Sequence, residues 1–69
     1  MNISESPIAY NNLTTAYSAI RNQYHYDYVC QVKDIIIDNK EVYYIDVQHK
    51  DTGNFVGYLG EYNGWRKDL

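Results

Sequence analysis

The chain has 69 residues, nine acidic and six basic side chains, a formal charge of −3 and a hydrophobic content of 45%. That length allows a single domain, 1–69, and a domain of this size buries only roughly 60% of the surface its unfolded chain exposes. The weak, mixed charge excludes the dense carboxylate array of a DNA mimic, and the basic patch that reads a nucleic-acid backbone is missing too.

One cysteine, Cys30, excludes an internal disulfide, and a lone thiol in a strand pattern fits a reducing compartment. No apolar run approaches the roughly 18 residues of a membrane span. The first ten residues, MNISESPIAY, hold neither the basic nor the apolar region of a signal peptide. The expected location is the cytoplasm, with no membrane partner.

Residues 1–11 are polar with isolated apolar side chains, and read as a flexible or loosely packed N-terminal segment on which Ile3 and Ile8 touch the body. Pro7 after Ser6 could open a helix, but Asn11 and Asn12 compete with the helical backbone through their side chains. The helix is therefore placed at residues 13–23, capped by Asn12. Leu13, Ala16, Tyr17, Ile20 and Tyr24 follow the spacing of one helical face, and Arg21 suits the negative end of the helix dipole.

A first strand runs from Tyr26 to Ile37, with Tyr26, Tyr28, Cys30 and Val32 on one face. Its alternation breaks at Ile35, Ile36 and Ile37, which predicts either cover on both faces or a bulge near Lys33 and Asp34. Asp38, Asn39 and Lys40 form a turn. A second strand, 41–49, sets Tyr43, Ile45 and Val47 against Val42, Tyr44, Asp46 and Gln48; the first set, with Tyr28, Cys30 and Val32, is the expected core face. Gly53 supplies the next turn. A third strand, 54–61, contains Gly57 and Gly60, which predict close approach of another backbone or a bend. Asn63-Gly64, flanked by Tyr62 and Trp65, signals a hairpin into a short edge strand over 65–68. The expected fold is α+β: one amphipathic helix packed on a three- to four-stranded antiparallel β-meander.

No motif names a reaction. His25, Cys30 and His49 lack the close paired spacing of zinc ligands, so no metal or cofactor is expected. Cys30 sits mid-strand, where cysteine behaves as a small hydrophobe, and an activated nucleophile would need a base, an orienting group and an oxyanion site. Asp34, Asp38, Glu41 and Asp46 are what solvated strand ends and turns carry. The four glycines lack the strand–loop–helix setting of a phosphate loop. The chain reads as a non-enzyme.

The tyrosines are the distinctive feature. Nine of them join one tryptophan and one phenylalanine, and about half are expected in the core, with Tyr17, Tyr28 and Tyr43 as candidates. Tyrosine is also enriched at interface hot spots. Tyr24, Tyr26, Tyr44, Asp46, Tyr58, Tyr62 and Trp65 are the predicted partner-binding residues.

The run from Leu13 to Trp65, a helix followed by strands that include EVYYIDV and an end near EYNGW, resembles the PepSY-type pattern. That resemblance implies a helix-and-meander fold; the families that carry it occur in secreted proteases, their propeptides and cell envelopes. The acidic, Asn/Tyr/Ile-rich chain with NLTTAYSAIRN before its sheet is also similar to the small phage-encoded proteins that block bacterial defence, anti-CRISPR proteins among them. That second resemblance implies a stoichiometric inhibitor of a larger host protein or complex. The expected function is therefore non-enzymatic protein binding through an exposed aromatic and acidic surface. The second reading is a small nucleic-acid-binding or regulatory module that stacks bases on the same aromatics. An open sheet edge makes a homodimer a further expectation.

Overall fold

The computed structural model describes residues 1–60. Five elements follow in order: β1 (Ile3–Ser4), α1 (Leu13–Asn22), β2 (Tyr28–Ile37), β3 (Lys40–His49) and β4 (Phe55–Leu59). The strands form one antiparallel sheet in the order β1-β4-β3-β2, with α1 packed on one side. The fold is α+β, and its fourth strand comes from the N-terminus. The edge strand expected at 65–68 and the Asn63-Gly64 hairpin lie outside the described residues.

The β2–β3 hairpin is regular along its whole length, from Tyr28 opposite His49 to Ile37 opposite Lys40. Its loop is Asp38-Asn39, with φ of 53° and 64°. Two central residues at positive φ make the type I′ geometry whose twist matches that of the flanking strands, and Asp and Asn tolerate it better than any residue except glycine. The bulge expected near Lys33 and Asp34 is absent. It lies instead in the β3–β4 pair, between Val47 and Gln48.

The isoleucine run has another cause. Ile35, Ile36 and Ile37 are 46%, 72% and 49% exposed. Neither face of the hairpin tip is fully covered: Ile36, on the helix side, lies beyond Leu13, the first residue of α1, which borders Val32, Asp34 and Tyr43, and Ile35 and Ile37 lie on the face without a helix.

Asn12 caps α1: its Oδ1 accepts from the Thr15 backbone N–H at 2.8 Å and from Thr15 Oγ1 at 3.0 Å. The buried stripe of the helix differs from the expected one. Ala16 and Ala19 are fully buried and Ile20 is partly so, whereas Leu13 and Tyr17 are 44% and 53% exposed. Small side chains let a helix lie close to a sheet. Here the alanine pair makes the contact, and Tyr17, expected in the core, is turned out to the rim. Gln23 follows the alanines onto the buried side, where its amide takes Asn2 N–H at 2.9 Å and donates to the Gly60 carbonyl at 3.2 Å.

The core comprises Tyr10, Ala16, Ala19, Ile45, Val47 and Leu59, with Tyr28, Cys30, Val32 and Tyr43 packed against it. The expected phase of the hairpin is therefore the observed one. Burying Ile45, Val47 or Leu59 fully stabilises the fold by about 1.5–3 kcal/mol each.

The N-terminal segment supplies what the sequence did not suggest. Tyr10 is fully buried and exchanges both backbone hydrogen bonds with Tyr43, at 2.7 and 2.9 Å. It thereby fills the edge of β3 beyond the end of β4, and residues 7–12 do not extend the helix. Ile8 and Tyr10 face the core, while Pro7 and Ala9 face the other side of the sheet.

Gly57, at φ 154°, is what allows β1 to close the sheet. A Cβ there would lie 2.6 Å from Ile3 Cγ2 and 2.9 Å from the Ser4 carbonyl oxygen. The close backbone approach expected at this strand is thus the approach of β1.

Candidate interaction surface

Antiparallel pairing places Val29, Gln31, Lys33, Ile35 and Ile37 of β2 on the face that α1 leaves open, opposite Gln48, Asp46, Tyr44, Val42 and Lys40 of β3. Tyr58 of β4 sits beside Asp46, and Phe55 beside Gln48. One helix covers one face of a sheet, so these residues form the second face.

That face is apolar and aromatic at its centre. The Tyr58 ring meets Tyr44 edge-on at 5.9 Å and Phe55 at 5.2 Å, the tilted geometry that aromatic quadrupoles favour. Phe55 is 55% exposed. Next to this row a groove of about 210 Å³ is lined by Pro7, Ala9, Ile35, Ile37, Val42, Tyr44 and Tyr58, with Tyr43 also contributing. Val42 forms its buried floor.

Polar side chains flank this apolar and aromatic row: Gln31 and Gln48, Lys40 beside the hairpin turn, and the pair Lys33 and Asp46. Lys33 Nζ lies 3.8 Å from Asp46 Oδ2, and the Asp46 side chain is mostly covered. Such a pair adds at most about 1 kcal/mol. It does set the two opposite charges nearest the aromatic row against each other.

Of the predicted binding residues, Tyr44, Asp46 and Tyr58 come together here. Tyr24 and Tyr26 do not. They are strongly exposed on the connection between α1 and β2, at the end of the sheet away from the hairpin tip. There His25 stacks on Tyr26 at 4.8 Å and contacts Tyr28, and Tyr28 stacks on His49 at 5.2 Å. Tyr62 and Trp65 lie outside the described residues. Ile35, Ile37 and Phe55 were missed as surface residues, although the break in alternation at Ile35 was the signal that could have found the two isoleucines; Val42 lies on the face expected for it, beneath the groove.

Cys30 lies opposite Val47 on the helix side, and burial pushes its thiol above the ordinary range. Desolvation, reinforced by the Glu41 carboxylate, likewise raises the Tyr43 phenol, whose hydroxyl donates to Glu41 Oε1 at 3.2 Å. Among the described residues no three of His, Cys, Asp and Glu converge as a metal site, and no helix is long and apolar enough to cross a membrane.

The sequence matches no protein-family model, no curated protein and no solved structure.

Proposed function

We propose that this protein is a non-enzymatic docking protein that works stoichiometrically, covering a functional surface of a larger protein with the helix-free face of its sheet. One observation carries this reading: the continuous apolar and aromatic surface formed by Ile35, Ile37, Tyr44, Phe55 and Tyr58, with Val42 beneath the groove. Aromatic anchors around an apolar pocket, with polar side chains at its margin, are the composition of an interface centre. Inhibition of a bacterial defence complex by a phage-encoded chain is the specific form of this function that the likeness to small anti-defence proteins supplies.

Stacking of single-stranded bases needs a basic groove beside the aromatics. Lys33 is drawn to Asp46, which leaves protein contact the better-supported use of Tyr44, Phe55 and Tyr58.

Affinity capture from a bacterial host lysate tests the reading with two variants. Ile35→Glu combined with Tyr44→Ala should lose the captured protein, while Tyr24→Ala combined with Tyr26→Ala should retain it. Retention by the first variant and loss by the second would overturn the assignment of the face. Salt-sensitive retardation of single-stranded nucleic acid, abolished by Tyr44→Ala, would replace protein docking with base stacking.

A further inference from the structure

We infer that the outer edge of β2 is a self-association surface, and that two copies of the chain join there into one continuous antiparallel sheet about a two-fold axis through Val32. The partner is a second copy because the edge is complementary to itself in one register.

The backbone sets which groups are on offer. A two-residue turn makes Ile37 and Lys40 a hydrogen-bonded pair. At the other end of the hairpin Lys50 N–H donates to the Asp27 carbonyl at 2.9 Å. Along β2 the odd-numbered residues therefore bond inward to β3. The exchange of both hydrogen bonds between Tyr43 and Tyr10 agrees with this, since Tyr43 faces Asp34 and turns its backbone groups away from β2. The N–H and C=O groups of Cys30, Val32, Asp34 and Ile36 point outward. Among the described residues no strand occupies that edge.

The edge carries charge only at Lys33 and Asp34 and has no other guard among the described residues. Ten residues run without proline and without a register shift against β3. Sheet proteins normally blunt a long, regular edge with a bulge, a proline or a covering segment, because it templates another strand.

Charge and shape then select the register. Antiparallel self-pairing within one sheet requires a two-fold axis normal to the sheet, which keeps both helices on the same side and matches outward-bonding residues with outward-bonding residues. Centring on Lys33 or on Asp34 sets like charges directly opposite, which is unfavourable. Centring on Gln31 leaves Ile35, Ile36 and Ile37 without strand partners, and centring on Ile35 does the same to Val29, Cys30, Gln31 and Val32. Centring on Val32 pairs Val32 with itself, Val29 with Ile35, Tyr28 with Ile36, Gln31 with Lys33 and Cys30 with Asp34 of the second copy. Val29, Ile35 and Ile36 are 43%, 46% and 72% exposed in the single chain, so this register covers apolar surface that the monomer leaves in water. It also sets the two helix-free faces side by side. The inference goes beyond the docking reading and shares Ile35 with it; Asp34→Pro, which acts on the outward backbone of the edge, separates the two.

Sedimentation equilibrium on the full chain tests the association, and a cysteine pair tests the register. The wild type should form dimers. Asp34→Pro removes an N–H that β3 does not use, and proline is tolerated at an edge position of this kind. It should raise the dissociation constant by about 10- to 100-fold, through lost hydrogen bonds at both symmetric positions, with an unchanged circular dichroism spectrum. In a Cys30→Ala background, chains carrying Val29→Cys mixed with chains carrying Ile35→Cys should form a disulfide-linked dimer on mild oxidation. Neither variant alone should do so. A wild type that sediments as a monomer throughout, a folded Asp34→Pro variant that dimerises as tightly as wild type, or a cross-link formed by Ile35→Cys alone would overturn the inference.

Discussion

The Tyr10 hydroxyl donates to the Gly60 carbonyl oxygen at 2.9 Å, a buried bond between residues fifty positions apart. With the backbone pairing of Tyr10 to Tyr43, it ties the N-terminal segment both to β3 and to the residue that follows β4. Tyr10→Phe should cost about 0.5–1.5 kcal/mol, the net value of one hydrogen bond. Tyr10→Ala should cost about 3–5 kcal/mol, because it leaves a cavity among Ala16, Ala19 and Ile45. Urea denaturation separates the two. A loss below about 1 kcal/mol for Tyr10→Ala would show that the segment does not hold the core together.

Gly57 should accept no side chain. Gly57→Ala meets Ile3 and the Ser4 carbonyl at a positive φ, so strain and overpacking together should cost roughly 2–4 kcal/mol. Gly53, also at positive φ but with open space around it, should lose only about 1 kcal/mol on change to alanine, from backbone strain alone. Equal losses at the two glycines, read from thermal unfolding, would contradict the packing of β1 against β4.

Asn12→Ala removes the acceptor of Thr15 N–H. The expected loss is about 0.5–2 kcal/mol, with Asn12→Asp close to wild type. An unchanged unfolding midpoint for Asn12→Ala would mean that α1 is held by the packing of Ala16, Ala19 and Ile20 without its cap.

Tyr43 should make stability fall at alkaline pH. A phenol whose folded value is raised holds its proton more tightly in the folded state. Its contribution is present below the ordinary value of 10.0 and is lost as pH rises through the higher folded value. Glu41→Gln removes the carboxylate that reinforces the shift, so the ring titration of Tyr43 followed by NMR should move down towards its ordinary range. No movement would leave desolvation and the Asp34 carboxylate as the causes.

Periodicity carries local information, and the local features were legible. The hairpin phase, a turn that includes Asp38 and Asn39 (Lys40, expected in it, is the first residue of β3) and the Asn12 cap each depend on residues close in sequence. Tyr10 was hidden because its neighbours Pro7, Asn11 and Asn12 read as loop, and its partners Tyr43 and Gly60 are distant. The helix stripe was legible in period but not in rotation. Tyr17 looks more buriable than Ala19, yet close contact with the sheet favours the smaller side chain. At the candidate surface, Tyr44, Asp46 and Tyr58 followed from strand alternation. The separation of Tyr24 and Tyr26 from them did not, because it depends on which end of the sheet the α1–β2 connection reaches.

The central claim, that the helix-free face is the docking surface, is tested most directly by titrating the purified captured protein with this chain in a calorimeter at several temperatures. The account predicts saturation at a fixed stoichiometry and a negative heat-capacity change from apolar burial. It also predicts a loss of affinity of about 30-fold or more for Tyr44→Ala with Tyr58→Ala, as expected when anchor residues are truncated. Unchanged affinity for that variant, with its fold intact, would contradict it.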